Sequence, residues 1–317
     1  MILVCLLVAL VVLLPSWSQE KNPSQNQGSP DRSGALPLSK PTKVATDSVT
    51  VGNQPYGVAF DGENIWSANY GDAPGTVTKL RASDGKVLGT FKVGHQPVGV
   101  TFDGANIWVS NNFDNTVTKL RAKDGETLGT FPVNSPWWMA FDGANVWVPS
   151  YAPSGKVTKL RASDGKNLGT FATGAGSIAV AFDGAAIWVS NFGGGTVTKL
   201  RASDGSLIGT YALQGNPLGI AFDGSYIWVA NQSEASVSKL RASDGSLVGT
   251  YRVPAIPYGV AFDGTHIWVT GAVELAELRA SDGTIMAKFP VRNTAGLAFD
   301  GAKVWVAETF NDLLHKL

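Results

Sequence analysis

Residues 97–133 of this 317-residue chain read PVGVTFDGANIWVSNNFDNTVTKLRAKDGETLGTFPV. Two Asp-Gly pairs, at residues 103–104 and 124–125, separate short runs that are rich in β-branched and aromatic residues. Asp-Gly supplies the positive φ angle that a tight turn between twisted strands requires. The stretch therefore predicts a meander of four antiparallel strands. These strands are expected over residues 98–102, 106–110, 116–121 and 128–133.

The same pattern recurs along the chain. Phe-Asp-Gly occurs seven times, at spacings of 42, 39, 41, 40, 40 and 37 residues. The copies begin at Phe60, Phe102, Phe141, Phe182, Phe222, Phe262 and Phe299. A four-stranded propeller blade takes about 40 to 45 residues. The sequence thus predicts an all-β fold, a seven-bladed β-propeller of four-stranded antiparallel blades.

The second Asp-Gly turn occurs only six times, because the seventh unit stops level with the third strand of the others. Residues 44–52, VATDSVTVG, end in the same Val-Gly that closes a fourth strand at Val93-Gly94. We expect this N-terminal segment to complete the last blade. Such closure removes the exposed sheet edges that otherwise template aggregation, and it places the propeller domain over residues 44–317.

The N-terminus has the composition of an export signal. Residues 2–14 form an unbroken apolar run of 13 residues, which is shorter than the roughly 18 needed to span a bilayer. Ser16-Trp17-Ser18 offers a small-x-small cleavage pattern. We interpret residues 1–18 as a signal peptide, or as an uncleaved N-terminal anchor because no Lys or Arg precedes the run. Residues 19–43, rich in Ser, Pro and Gln, predict a flexible linker.

Charge and cysteine content limit the classes of function. The 25 basic residues equal the 25 acidic ones, so the chain has no net charge to attract nucleic acid or an anionic membrane. We expect a monomer with no nucleic-acid partner and no membrane insertion of the mature domain, located in the periplasm, at the cell surface or in the medium. The single cysteine, Cys5, falls within the predicted signal. Motifs for phosphate loops, zincins and nucleophile elbows are absent, and we predict neither a cofactor nor a metal.

Two repeated features are interpreted as scaffold. Seven of the ten tryptophans share one position in the second strand, where a large ring would fill the wedge between neighbouring sheets. They are Trp66, Trp108, Trp147, Trp188, Trp228, Trp268 and Trp305. The repeated Lys-Leu-Arg is interpreted as a strand with solvated or locally paired charges. It begins at Lys79, Lys119, Lys159, Lys199 and Lys239.

The Asn-Thr-Val-Thr, Gly-Thr-Phe-x-Val and Pro-x-Gly-Val-x-Phe-Asp-Gly segments resemble the YVTN family of propeller repeats. The Asp-Gly-x-x-Ile-Trp-Val stretch beginning at Asp183 is also similar to the streptogramin (virginiamycin B) lyase propellers. The first resemblance implies exported binding or scaffolding roles. The second implies metal-assisted opening of a cyclic antibiotic, carried out by a Glu-x-His pair and further histidine and glutamate residues.

The chain has too few suitably placed histidines to match the pattern of the lyases. His95, His266 and His315 are the three histidines, and none has Glu two residues before it. Of the three, His95 alone falls in a loop of the predicted binding face. General acid–base work needs two groups converging on one centre, and no such pair is visible, so no catalytic residue is assigned.

One side of the predicted disc carries the loops between second and third strands and the junctions between blades. We call it the loop face. Its loops vary between blades while the Asp-Gly side repeats, which favours the loop face as the binding surface. Five aromatic residues recur in these loops, either as ligand contacts or as caps on their own blades. They are Tyr70, Phe113, Tyr151, Phe192 and Phe310.

Trp138 breaks the repeat most sharply. It stands three residues before Phe-Asp-Gly, where five other blades have glycine and one has Ala179. Glycine there should mark close backbone approach near the axis, so we expect Trp138 and Trp137 to project into the central opening or onto the loop face. Tyr56 and Tyr258 occupy the position of Trp137 in other blades. The alternative is local repacking of a degenerate blade.

Four acidic residues of the last two blades are candidates for an oxygen-ligand cation site, but no Asp-x-Asp-x-Asp-Gly loop is present and solvated strand charge is favoured. They are Glu274, Glu277, Glu308 and Asp312. The sequence as a whole favours an exported, non-enzymatic module that binds a protein, peptide or glycan on the loop face. The alternative is a streptogramin-lyase-like or lactonase-like enzyme that uses His95 on a small cyclic substrate.

Overall fold

The computed structural model describes residues 47–254 and 256–317. The predicted signal peptide and linker, and the first three residues of the predicted closing strand, lie outside the described residues. Within them the chain forms β-strands joined by turns, and no helix there is long and apolar enough to cross a membrane. The strands are β1 (Asp47–Thr50), β2 (Pro55–Phe60), β3 (Asn64–Asn69), β4 (Thr76–Arg81), β5 (Val87–Lys92), β6 (Pro97–Phe102), β7 (Asn106–Asn111), β8 (Thr116–Arg121), β9 (Thr127–Pro132), β10 (Ala140–Phe141), β11 (Asn145–Ser150), β12 (Lys156–Arg161), β13 (Asn167–Ala172), β14 (Ser177–Phe182), β15 (Ala186–Asn191), β16 (Thr196–Arg201), β17 (Leu207–Ala212), β18 (Pro217–Phe222), β19 (Tyr226–Asn231), β20 (Ser236–Arg241), β21 (Leu247–Arg252), β22 (Pro257–Phe262), β23 (His266–Gly271), β24 (Leu275–Arg279), β25 (Ile285–Phe289), β26 (Thr294–Phe299), β27 (Val304–Glu308) and β28 (Leu313–Lys316).

These strands form seven four-stranded antiparallel sheets, each a meander in chain order except the last. Blade 1 is β2–β5, and blades 2 to 6 follow in groups of four up to β25. Blade 7 has the order β1-β28-β27-β26. The predicted seven-bladed propeller is confirmed, and the four strands predicted for blade 2 match β6 to β9 to within one residue at each end.

The N-terminal strand closes the ring. β1 lies antiparallel to β28, with Asp47 opposite Lys316 and Thr50 opposite Leu313. Val51 then donates its backbone N–H to the Asp312 carbonyl at 2.9 Å. The last blade therefore takes its outer strand from the N-terminal segment, as the missing Asp-Gly turn predicts.

The first hairpin explains why Asp and Trp recur together. In blade 2, Asp103 Oδ1 accepts the backbone N–H of Ala105 at 2.9 Å and of Asn106 at 2.6 Å, while Gly104 takes a φ of 95°. Asp103 Oδ2 accepts Trp108 Nε1 at 2.7 Å. The turn carboxylate thus satisfies the indole donor that burial removes from water. The indoles pack between neighbouring sheets, which confirms that these tryptophans belong to the scaffold.

The repeated lysines correct the interpretation of Lys-Leu-Arg. Arg121 pairs locally with Asp124 at 2.9 Å, as expected. Lys119, however, is only 6% exposed and lies over the Trp108 ring. Its Nζ donates to the Ala162 carbonyl of the next blade at 2.6 Å and to the Ser163 carbonyl at 3.3 Å. The prediction that these lysines are solvated or locally paired is therefore wrong. They are buried, and their acceptors lie in the neighbouring blade rather than nearby in sequence.

We call this contact the lysine clamp. It joins six of the seven pairs of neighbouring blades in the described structure, through Lys79, Lys119, Lys159, Lys199, Lys239 and Lys316. Burial lowers the pKa of Lys239, although the nearby carboxylates of Asp223 and Asp282 oppose that shift. Between blades 6 and 7 the clamp position opposite Trp268 is Glu277. In the described part of the chain, blade 7 takes its outer strand from β1 and has no turn between a third and a fourth strand that could supply acceptor carbonyls here.

Candidate functional site

Backbone hydrogen bonds fix the loop face in every blade. The first loop residue after the second strand donates its N–H to the junction residue that leads into the same blade. In blade 3, Tyr151 donates to the Ser135 carbonyl at 3.0 Å, and in blade 1 Tyr70 donates to Gln54 at 2.9 Å. Ser135 and Gln54 have positive φ angles of 41° and 52°. The aromatic loops and the junctions are thereby held on one side of each sheet.

The seven inner strands meet around a central cavity of about 170 Å³. Glycine at five of them permits close approach. A Cβ at Gly57 would lie 2.4 Å from the Val98 carbonyl oxygen, and a Cβ at Gly219 would lie 2.3 Å from the Tyr258 carbonyl oxygen. The interpretation of these glycines as points of close backbone approach is confirmed.

Trp138 lines that cavity and changes the local backbone. The inner strand of blade 3 is reduced to Ala140–Phe141, the two residues of β10. Trp138 instead pairs in parallel with Ala179 of blade 4, donating its N–H to the Ile178 carbonyl and accepting the N–H of Val180, each at 3.1 Å. The inner edge of blade 3 is therefore bonded to blade 4 at the position where other blades have glycine or alanine.

Trp138 also joins a continuous row of rings, which we call the aromatic arc. The arc consists of Tyr56, Tyr70, Trp137, Trp138, Tyr151 and Phe192. Trp138 of blade 3 stacks on Tyr56 of blade 1, with centroids 5.8 Å apart and planes at 28°. Tyr56 contacts Tyr70, and Trp137 contacts Tyr151, which in turn contacts Phe192 of blade 4. The arc therefore joins blades 1, 3 and 4, and it meets the central cavity through Trp138.

Hydrogen bonds from blade 2 hold the junction that leads to Trp137 and Trp138. Asn112 of blade 2 donates its Nδ2 to the Pro136 carbonyl at 3.1 Å, and Asn115 Oδ1 accepts the N–H of Ser135 at 2.8 Å. Trp137 is only 4% exposed. Burial raises the pKa of the Tyr151 hydroxyl, so this ring stays neutral at physiological pH. The arc is uncharged, and the junction beside Trp137 is held by hydrogen bonds from blade 2.

The other four expected site residues lie apart from the arc. His95 and Phe113 form their own pair, with ring centroids 6.2 Å apart. Phe113 and Phe310 are 57% and 44% exposed. Tyr258 is buried, and burial raises the pKa of its hydroxyl. The structure thus brings six of the ten residues together.

The acidic residues near the C-terminus are dispersed into separate pairs. Glu274 pairs with Lys288 at 3.2 Å, while Asp312 accepts the backbone N–H of Gln54 at 2.8 Å. Glu277 and Glu308 lie near His266 and His315, at 3.4 and 2.5 Å. Their side chains are 12% and 10% exposed, so solvated charge is wrong for these two. Across residues 47–254 and 256–317, no three His, Cys, Asp or Glu side chains are grouped as metal ligands.

Two further residues of blade 3, Ser150 and Lys156, also depart from the repeat. They stand where blades 1, 2 and 4 have Asn and Thr, as at Asn111 and Thr116. An alignment of the ends of the second strands reveals the difference. Both residues line a pocket on this blade.

No family model and no curated protein matches the chain. Among solved structures, hydrazine synthase from Kuenenia stuttgartiensis is similar to 88% of this chain over 98% of its own, with a TM-score of 0.75 and 16% identity. The fold is that of a β-propeller. A streptogramin B lyase structure matches 85% of this chain over 96% of its own, with a TM-score of 0.72 and 19% identity. The WD40 propeller domain of Doa1 matches 86% over 96%, with a TM-score of 0.71 and 12% identity.

These likenesses confirm the resemblance to lyase-type propellers for the fold alone. The similar structures include enzymes and a repeat domain of another kind, and one fold carries many functions. The function has to be argued from the residues of this chain.

Proposed function

We propose that this protein is an exported, non-enzymatic β-propeller that binds a protein, peptide or glycan on its loop face. The observation that carries the proposal is the aromatic arc. Rings from blades 1, 3 and 4 make continuous contact, and the repeat itself would place glycine at Trp138, the ring of the arc that lines the central cavity. Large rigid rings give extensive contact area at a low entropic cost, which is why aromatic residues dominate binding hot spots.

The pre-formed backbone supports binding further. Because Asn112 and Asn115 already hold the junction beside Trp137, a ligand would not have to order it. Binding to a rigid surface avoids the cost of fixing side chains and loops. The uncharged rings suit ligands that offer apolar or planar surfaces, such as the faces of sugar rings or aromatic side chains.

The test is affinity capture from the protein's native extracellular milieu, with captured proteins and glycans identified by mass spectrometry. Trp138→Ala removes the central ring of the arc, and Phe113→Ala is the matched control because Phe113 is an exposed ring on the same face outside it. We expect Trp138→Ala to weaken binding of the captured ligand by tenfold or more, about 1.4 kcal/mol. Phe113→Ala should bind as the unaltered chain does. Equal retention by both variants would exclude the arc as the binding surface.

A second candidate is an enzyme that opens a small cyclic substrate and uses His95. Its supporting observation is that His95 Nδ1 lies 3.1 Å from both carboxylate oxygens of Asp114, as in a base oriented by an acid. The same carboxylate also accepts the backbone N–H of His95 at 2.8 Å. In blade 1, Asp72 accepts the backbone N–H of Asn53 at 3.0 Å in the same way. Because blade 1 makes the same backbone hydrogen bond without a histidine, we assign Asp114 a structural role.

Substrate screening with added divalent metals distinguishes the two candidates. The binding proposal expects no turnover of cyclic depsipeptides or lactones. Metal-dependent turnover that His95→Ala abolishes, in a variant with an unchanged melting temperature, would establish the enzyme instead.

A further inference from the structure

A pocket of about 250 Å³ opens on blade 3, beside the aromatic arc but separate from it. Its lining combines the apolar residues Pro132, Val133 and Ala152 with polar ones, which include Asn134, Ser150, Ser154, Lys156, Thr158 and Thr170. Ser150 directly precedes Tyr151 of the arc, so the pocket and the arc share one loop.

The pocket exists because blade 3 lacks a side chain that fills the same space in its neighbours. In blade 2, Asn111 Nδ2 bridges the hydroxyls of Thr116 and Thr118 at 3.1 and 2.8 Å. Blades 1 and 4 make the same bridges through Asn69 and Asn191. The shorter Ser150 replaces this asparagine in blade 3, and the buried hydroxyl of Thr158 pairs with Thr170 at 3.2 Å instead.

A second difference lies at the junction that leads into the blade. In blade 2, a Cβ at Gly94 would meet Asn111 at 2.7 Å. Blade 3 has Asn134 after the equivalent valine, in a junction that is one residue shorter, and Asn134 and Ser150 both line the pocket.

The charged lining of the pocket is basic. Lys156 replaces the threonine of blades 1, 2 and 4, and no Asp or Glu lines the pocket. Hydroxyl and amide side chains are also among the lining residues. Lysine presents a compact point charge with three donors, and charge-assisted hydrogen bonds to anionic oxygens are about twice as strong as neutral ones.

We propose that this pocket binds a small oxyanion, a carboxylate, phosphate or sulfate group, through Lys156 and the surrounding hydroxyl and amide donors. The site is independent of the aromatic arc, since none of its lining residues belongs to the arc. The anion belongs either to a free small molecule or to an acidic substituent of a larger ligand. A free small molecule would bind with measurable affinity as the anion alone, whereas an acidic substituent would need the rest of its ligand to bind tightly.

Isothermal titration of the full chain at constant ionic strength tests the proposal, with inorganic phosphate, sulfate and lactate as probes and neutral glycerol as the reference. We expect saturable binding of at least one anion and none of glycerol. Lys156→Thr should weaken that binding about tenfold or more, because a hydrogen bond to a charged group contributes about 1.5 to 3 kcal/mol. Lys92→Ala is the matched control, since it removes an exposed lysine from the outer strand of blade 1. It should change the affinity less than about twofold, as a solvated charge contributes little.

A reversal variant adds a structural readout. Asn134→Gly, Ser150→Asn and Lys156→Thr together restore the pattern of blade 2 and should abolish anion binding while leaving the melting temperature unchanged or higher. If this variant does not fold, Lys156→Thr alone carries the test. Absence of saturable binding for all three anions overturns the proposal, and so does an equal loss of affinity in Lys92→Ala.

Discussion

Blades 3 and 6 both depart from the repeat, and their surroundings explain the departures differently. In blade 6, Glu277 stands at the clamp position and lies 3.4 Å from His266. Within residues 47–254 and 256–317, the next blade takes its outer strand from β1 and has no hairpin turn to accept a lysine. The departure of blade 6 therefore follows from the way the ring closes.

Blade 3 has no such constraint. Lys119 clamps blade 2 to blade 3, and Lys159 clamps blade 3 to blade 4. Its departures at Trp138, Ser150 and Lys156 nevertheless gather on or next to the loop face. Departures from the repeat that the closure of the ring does not demand are therefore the ones to associate with function.

The largest expected effect concerns closure. Deleting residues 44–52 removes β1, leaves the edge of β28 unpaired and exposes the core cluster that contains Trp305 and Leu314. We expect the cooperative unfolding transition to be lost, as measured by calorimetry and by circular dichroism. Deleting the predicted linker, residues 19–43, is the control and should leave the transition in place. A melting temperature that survives removal of β1 would show that the ring does not depend on this strand.

Much of the fold could be predicted because its signals are local. Each Asp-Gly turn is a short-range feature, so counting the turns gave both the number of blades and the missing outer strand. The lysine clamp could not be predicted in this way, because the acceptor of Lys79 is the Ala122 carbonyl, 43 residues away in the chain. The alternating sequence of a strand such as Thr116–Arg121 predicts that one of its two faces is solvated. In a propeller, however, both faces of each sheet pack against neighbouring blades, and the four central residues of this strand are all buried.

A matched pair of tryptophans gives the next largest effect. Trp188 is fully buried between sheets, and Trp188→Ala should lower the free energy of unfolding by about 3 to 5 kcal/mol. Trp138 is half-buried at the cavity mouth, so Trp138→Ala should cost only about 1 kcal/mol, mainly through its stacking on Tyr56. Denaturant titration of both variants measures the difference. Equal losses would mean that Trp138 is a scaffold residue like the seven repeated tryptophans.

The candidate site was only partly accessible from sequence. Trp138 stood out because one position could be compared across seven blades. Its stacking on Tyr56 joins residues that are 82 positions apart and that belong to blades 1 and 3, which are not neighbours in the ring. A periodic sequence pattern does not encode such a contact. Tyr70, Tyr151 and Phe192 are the first residue after their second strands, as their equivalent backbone hydrogen bonds show, and all three belong to the arc. Phe113 and Phe310 lie one position later in their loops and are exposed. The loop position that leads into the arc could therefore have been read by aligning the strand ends, whereas the contact between Trp138 and Tyr56 could not.

The smallest expected effect tests why blade 6 lacks the clamp. Lys199→Met removes the donor to the Ala242 and Ser243 carbonyls and the cation over Trp188, and should cost about 2 kcal/mol of unfolding free energy. Glu277→Met at the equivalent position should cost less than about 1 kcal/mol, because no turn carbonyls depend on it and His266 retains Asp263 at 3.5 Å. Both values come from the same denaturant titrations. If Glu277→Met proved as costly as Lys199→Met, the carboxylate would be holding blades 6 and 7 together itself, and the departure of blade 6 would no longer be a simple consequence of closure.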